Sequence, residues 1–298
     1  MTLPSSVEQW RNRGRRSRVR GIDVFHVVEG HGPSVLLLHG FPTSGFDWRH
    51  VVAPLRDAGR RVIVPDLPGY GLSGKPRAYS YSLIEQADVL LDLLHALDVS
   101  SLDIVAHDMG TSVSCELLAR REESRLPFKL RSLTLTNGSV YIEMAHLTPS
   151  QKILRRPRLG PLFARLSNGI AFRAQFKRLF GDPDSVSRDE LDALWALMRE
   201  EDGALRLPQL IQYIAERTLR APRWLPPLRH LDDVPTMVMW GRRDPVAVFA
   251  IAERLAREIP SSRFVPLDGL GHYPQLEDPA RVAATLARFL DDVSPTQP

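Results

Sequence analysis

From about residue 17 to about residue 137, short apolar runs alternate with stretches whose apolar residues recur at helical spacing. Residues 18–28 read as an opening hairpin, and Ser34–Leu38 is a continuous apolar run of the kind that forms a buried strand. The pattern predicts a helix over 48–58, a second buried strand at Arg61–Pro65, a turn-rich loop over 69–80 and a helix over 83–97. A third strand follows at 102–106, then a helix at 111–120 and a fourth strand at 130–135. Such alternation argues for a parallel sheet covered by helices on both faces.

The alternation stops at Gly138. Residues 138–231 offer helical patches punctuated by prolines (157, 161, 183, 208, 222, 226 and 227) and no strand pattern. It resumes with a strand at 236–240, a helix at 246–258, a strand at Arg263–Leu267 and a closing helix from 279 to 289, with Asp278 as N-cap and Pro279 at its first position. The expected fold class is therefore α/β: a mostly parallel twisted sheet with helices on both faces and a helical cap insertion. The expected boundaries are a basic N-terminal arm over 1–16, a core over 17–137 and 232–298, and a cap over 138–231. The cap would lie over the carboxyl ends of the strands, where open parallel sheets bind ligands.

Composition changes this picture little. The 298 residues are 43% hydrophobic and 25% charged, near the soluble average. Cys115 is the only cysteine, which excludes a disulfide framework and a cysteine-based metal cluster. No apolar run reaches the ~18 residues of a membrane span, so a cytoplasmic protein is expected. Six arginines between positions 11 and 20 account for much of the +4 balance, and a solvated arm explains them. The remainder is near neutral and carries no nucleic-acid-binding motif, so no nucleic-acid partner is expected. The other histidines lack metal-ligand spacing and no glycine-rich phosphate loop is present, so no cofactor or metal is implied.

The chemistry lies at strand ends. The third predicted strand runs into Ala106-His107-Asp108-Met109-Gly110 and then a helix. This is a small–x–nucleophile–x–Gly elbow with a carboxylate at its centre. His39-Gly40-Phe41-Pro42 follows the first parallel strand, where a second backbone N–H can face the nucleophile. Asp244 and His272 each follow a later strand, giving the chain order nucleophile, acid, histidine. His107 should point away from the site. Ser112, Ser114, Trp48, Trp195 and Trp224 read as packing residues, Asp268 and Glu277 as loop or cap residues, and Asp66–Gly71 as a structural turn.

With these motifs the chain resembles α/β hydrolases of the epoxide hydrolase and haloalkane dehalogenase group, over about residues 18–290. The runs at 39–44 (HGFPTS), 210–217 (LIQYIAER) and 272–279 (HYPQLEDP) resemble most the mesoderm-specific transcript branch. The resemblance implies that Asp108 attacks saturated carbon to give an ester, which water activated by His272 then cleaves. Asp244 would orient the imidazole, and the N–H groups of Phe41 and Met109 would hold the oxyanion. In this group, cap tyrosines protonate an opening epoxide. Tyr213 stands in register with the second of them, and Tyr141 is the nearest candidate for the first.

Epoxide opening to a vicinal diol is the expected activity, on a small apolar epoxide or other alkyl electrophile with water as co-substrate, by a monomer or homodimer. Haloalkane dehalogenation by the same triad is the alternative, weakened because the side chains of Met109 and Phe41 offer a leaving halide no N–H donor. Asn137 occupies the place of an acid in some dehalogenases, but an amide carries no charge. A hydrolase-like receptor or scaffold without turnover is a further alternative, against which the complete Asp–Asp–His set argues.

Overall fold

Runs of branched apolar residues with no polar interruption build the middle of the sheet, because only a strand covered on both faces can bury every side chain. The computed structural model describes residues 3–293; the ends of the expected arm and core, 1–2 and 294–298, lie outside the described residues. Among the described residues there are eight strands: β1 (Gly14–Val19), β2 (Ile22–Glu29), β3 (Ser34–Leu38), β4 (Arg61–Pro65), β5 (Ser101–His107), β6 (Lys129–Thr136), β7 (Thr236–Gly241) and β8 (Arg263–Leu267). They form one sheet in the order β1-β2-β4-β3-β5-β6-β7-β8, antiparallel across β1–β2 and β2–β4 and parallel thereafter. β3 and β7 are buried along their full length.

The helices are α1 (Ser5–Arg13), α2 (Arg49–Asp57), α3 (Leu83–Ala96), α4 (Met109–Glu122), α5 (Pro149–Leu154), α6 (Leu159–Leu166), α7 (Gly169–Phe176), α8 (Arg188–Arg199), α9 (Leu207–Leu210), α10 (Tyr213–Trp224), α11 (Phe249–Glu258), α12 (Pro274–Glu277) and α13 (Pro279–Val293). Between β6 and β7 the described chain is helical with connecting turns and contains no strand. Asp278 accepts the Arg281 N–H at 3.0 Å, as a helix cap should. No helix among the described residues is long and apolar enough to cross a membrane.

The chain leaves β3 for β4 on one side, and β5 lies on the other. Adjacent loops after β3 and β5 thus diverge, leaving a crevice at the carboxyl ends of the strands. The residues expected to carry chemistry, 39–42 and 108, stand on those two loops.

The N-terminal segment differs from the expected solvated arm. Residues 5–13 form α1, with Val7 and Trp10 buried. The Trp10 ring packs against Phe25 and Phe46, with centroids 6.4 and 6.2 Å apart, and Arg13 covers its face at 5.1 Å. The arginines are consumed by pairing: Arg13 with Glu29, Arg11 with Glu200, Arg16 with Glu201 and Arg20 with Asp92. Trp10→Ala is expected to cost about 3–5 kcal/mol, the usual price of emptying a buried tryptophan site. Denaturant unfolding measures it, and a loss under about 1 kcal/mol would show that α1 does not help hold the fold.

Candidate active site

Asp108 sits between β5 and α4 with φ 44° and ψ −112°. A non-glycine residue holds such a conformation only when its surroundings impose it. Here they do, because small residues let neighbouring backbone close in. A Cβ on Gly110 would come within 2.9 Å of the His39 carbonyl oxygen, and one on Gly40 within 2.4 Å of the Asp108 Cβ. The loop after β3 therefore lies directly on the carboxylate. The Phe41 N–H donates to Asp108 Oδ2 at 2.8 Å. Met109 opens α4, so its N–H belongs to the first turn, whose amides have no partner within the helix.

The loop carrying Phe41 is itself braced. His39 accepts the Leu67 N–H at Nε2 (3.0 Å) and donates from Nδ1 to the Gly40 carbonyl (2.9 Å), which defines its neutral tautomer. Burial lowers its pKa to about 4. Asp66 accepts the N–H groups of Gly45 and Leu72, both at 2.7 Å, in keeping with a structural turn.

His272 lies across the site. Its Nδ1 donates to Asp244 Oδ2 at 2.7 Å. Asp244 Oδ1 accepts the N–H groups of Val246 (2.7 Å) and Ala247 (2.9 Å), which fixes the carboxylate. Burial pulls His272 toward its neutral form. The Asp244 charge and hydrogen bond, with the charges of Asp108 and Glu277, outweigh burial and raise the pKa to about 9.

The structure brings Asp108, Phe41, Met109, Asp244 and His272 together at the strand ends. It treats the two tyrosines differently. Tyr213 is buried at the start of α10, with its ring 5.6 Å from that of Phe41. Gln151 lies near its hydroxyl and opposes the rise of its pKa. Burial and the Asp108 charge push the Tyr213 pKa well above its ordinary value. Tyr141 is not brought to this cluster. Its ring lies beneath the Arg254 guanidinium at 3.7 Å, next to Glu258 of α11. The turn after β6 carries it to that side.

Three partnerships were not read from the sequence. Arg217 is buried and donates to the Asp108 carbonyl at 3.0 Å and to Ser112 Oγ, with its guanidinium 4.7 Å over the Tyr213 ring. Asn137 donates to Asp244 Oδ2 at 2.8 Å and accepts the Gly241 N–H at 3.0 Å. It braces the acid rather than replacing it. His107 points away from Asp108, as alternation along β5 requires, and its Nε2 meets the His272 carbonyl oxygen at 2.7 Å. Burial, followed by the neighbouring His272, lowers its pKa to about 3, so it is a neutral donor there.

A cavity of about 320 Å³ opens above the cluster, with Phe41, His272 and Tyr273 in its wall. The rest is contributed mainly by the helices between β6 and β7, including Phe163, Phe172, Phe176 and Met198. Trp195, expected to be a packing residue, also lines it while its ring sits 5.2 Å from Phe172. Among the described residues no group of three or more histidine, cysteine or acidic side chains is placed to hold a metal ion.

The family profile of the α/β hydrolase fold matches residues 33–279. The chain belongs to that family. This α/β hydrolase is 43% identical over 295 residues to the LipZ protein of Mycobacterium tuberculosis, covering 98% of this chain and 100% of the other. It is 34% identical to the mesoderm-specific transcript homolog protein of Bos taurus over 287 residues, 93% of this chain and 85% of the relative. Among solved structures, the epoxide hydrolase CorEH superposes with a TM-score of 0.75 at 19% identity, covering 94% of this chain and 98% of that one. That last likeness speaks for the fold alone.

Proposed function

We propose that this hydrolase opens small, mostly apolar epoxides to vicinal diols through an ester on Asp108. A carboxylate at the elbow, with one oxygen on a backbone N–H and a carboxylate-paired histidine opposite, is the observation that carries the reading. A carboxylate needs no base to attack carbon. Oδ2 is engaged by Phe41, so Oδ1 attacks the epoxide carbon. The ring C–O bond breaks, and the alkoxide takes the Tyr213 proton. His272 then removes a proton from water, whose oxygen adds to the Asp108 carbonyl carbon. The N–H groups of Phe41 and Met109 hold the resulting oxyanion, each contributing roughly 3–4 kcal/mol in comparable sites. Collapse breaks the acyl C–O bond, the diol leaves with the proton from His272, and the proton left on the regenerated Asp108 carboxyl returns to the Tyr213 phenolate.

The cap tyrosine role rests on Tyr213 alone. Arg217 is a positioning residue in this scheme, since it ties the elbow to Tyr213 and its charge opposes the rise in that phenol's pKa. The apolar wall fits an uncharged substrate.

One turnover of an aryl epoxide in heavy-oxygen water tests the scheme. The peptide holding Asp108 should gain the label while the first diol gains none; label confined to the diol would overturn the ester. A parallel assay with brominated alkanes, reading bromide, separates epoxide opening from dehalogenation. Tyr213→Phe is expected to slow epoxide opening about 10²–10³-fold with little change in stability, as loss of a general acid does. An unchanged rate removes Tyr213 from the mechanism.

A further inference from the structure

The insertion carries an uneven distribution of charge. Residues 144–181 contain eight lysines and arginines and no aspartate or glutamate. Arg173 and Lys177 pair with Asp192 and Asp184. Lys152, Arg155, Arg156, Arg158 and Arg165 are exposed, and among the described residues none of the five forms an ion pair. The N-terminal arginines, by contrast, are mostly paired.

The same segment exposes hydrocarbon. Leu159, Leu162 and Leu166 of α6 are 45, 54 and 69% exposed, and their i, i+3, i+7 spacing places them on one face of the helix. Ile170 follows at the start of α7, 75% exposed. Leu166 also lines the cavity, so the apolar stripe runs into its mouth.

An apolar helix face flanked by uncompensated cations is the surface that an anionic lipid interface complements: the leucines enter the boundary of the acyl layer while the arginines meet headgroup phosphates. We propose that the α5–α6 face docks this hydrolase on anionic membrane surfaces, with the cavity mouth turned toward the acyl layer. A second copy of the chain would meet the same cations with its own, a repulsive arrangement if the two faces were joined symmetrically. The proposal concerns where the protein sits and stands independently of the reaction assigned above.

The test is co-sedimentation of the full chain with vesicles of phosphatidylcholine alone and of phosphatidylcholine with about a third phosphatidylglycerol, at low and high salt. Binding should appear with the anionic vesicles and weaken as salt rises. Leu159→Asp with Leu162→Asp should abolish it. Arg155→Glu with Arg158→Glu and Arg165→Glu should lower partitioning about tenfold or more. All five positions are exposed, and circular dichroism checks that the variants fold. Equal binding by parent and variants, or no binding to either vesicle, overturns the proposal. So does a concentration-dependent dimer that Leu162→Asp dissolves while vesicles bind nothing, which would assign the face to self-association.

Discussion

His272→Gln is expected to yield an enzyme that alkylates Asp108 once and then stops. In the proposed scheme the first step uses the Asp108 carboxylate and the Tyr213 proton, and neither depends on the imidazole. The second step needs a base for water, which glutamine is not. Intact-mass measurement after mixing with an epoxide should show one added substrate mass per chain, and steady-state turnover should fall about 10⁴-fold or more, as for other bases acting with a covalent intermediate. Failure to trap any adduct would contradict the two-step scheme.

Under the proposed scheme the same residue sets the pH behaviour of the parent enzyme. The His272 pKa stands at about 9 in part because the Asp108 carboxylate is negative. Ester formation removes that charge, so the imidazole of the intermediate loses its proton more readily than that of the free enzyme. Ester hydrolysis, measured after rapid mixing, should rise with pH and level off below about pH 9. A pH-independent rate would exclude His272 as the base. In this scheme the base becomes competent when the nucleophile has been consumed.

Asp108→Ala is expected to abolish turnover, by about 10⁴-fold or more, with no adduct detectable by mass. The variant leaves the Phe41 N–H without its acceptor, so a modest change in stability accompanies the loss, on the order of 1–3 kcal/mol for an unsatisfied buried donor. Denaturant unfolding separates that effect from the chemistry. Retention of more than a small fraction of the activity would place the nucleophile elsewhere.

The legible part of this protein is the part dictated by local pattern. Ser34–Leu38, Arg61–Pro65 and Arg263–Leu267 are strands at the expected bounds, because short runs bounded by turn residues and rich in branched or aromatic side chains favour the extended chain. Asp108, Asp244 and His272 stand at strand ends because a βα alternation puts every such loop on one side of the sheet. Long-range partners were not legible. Asn137 and Asp244 are 107 residues apart, and Arg217 reaches the elbow across 109. Nothing in either local sequence reports such a meeting. α1 was hidden for a different reason: Val7 and Trp10 are its only buried residues, and the arginines around them read as a solvated run. Tyr141 depended on the path of the chain after β6, which spacing does not determine.

Ties between the cap region and the rest of the molecule run through α10, whose Arg217 and Trp224 reach the Asp108 carbonyl and Glu116, and through the α8 side. Glu200 and Glu201 bond to Arg11 and Arg16, Glu190 to Arg49, and the Gly181 N–H to Glu277. α5 and α6 are secured largely by neighbours within the insertion. Any widening of the entrance therefore has to come from these two helices swinging while α8 stays seated. Their amides should exchange with deuterium before those of α8, and a crosslink from α6 across the entrance should slow entry of bulky compounds more than small ones.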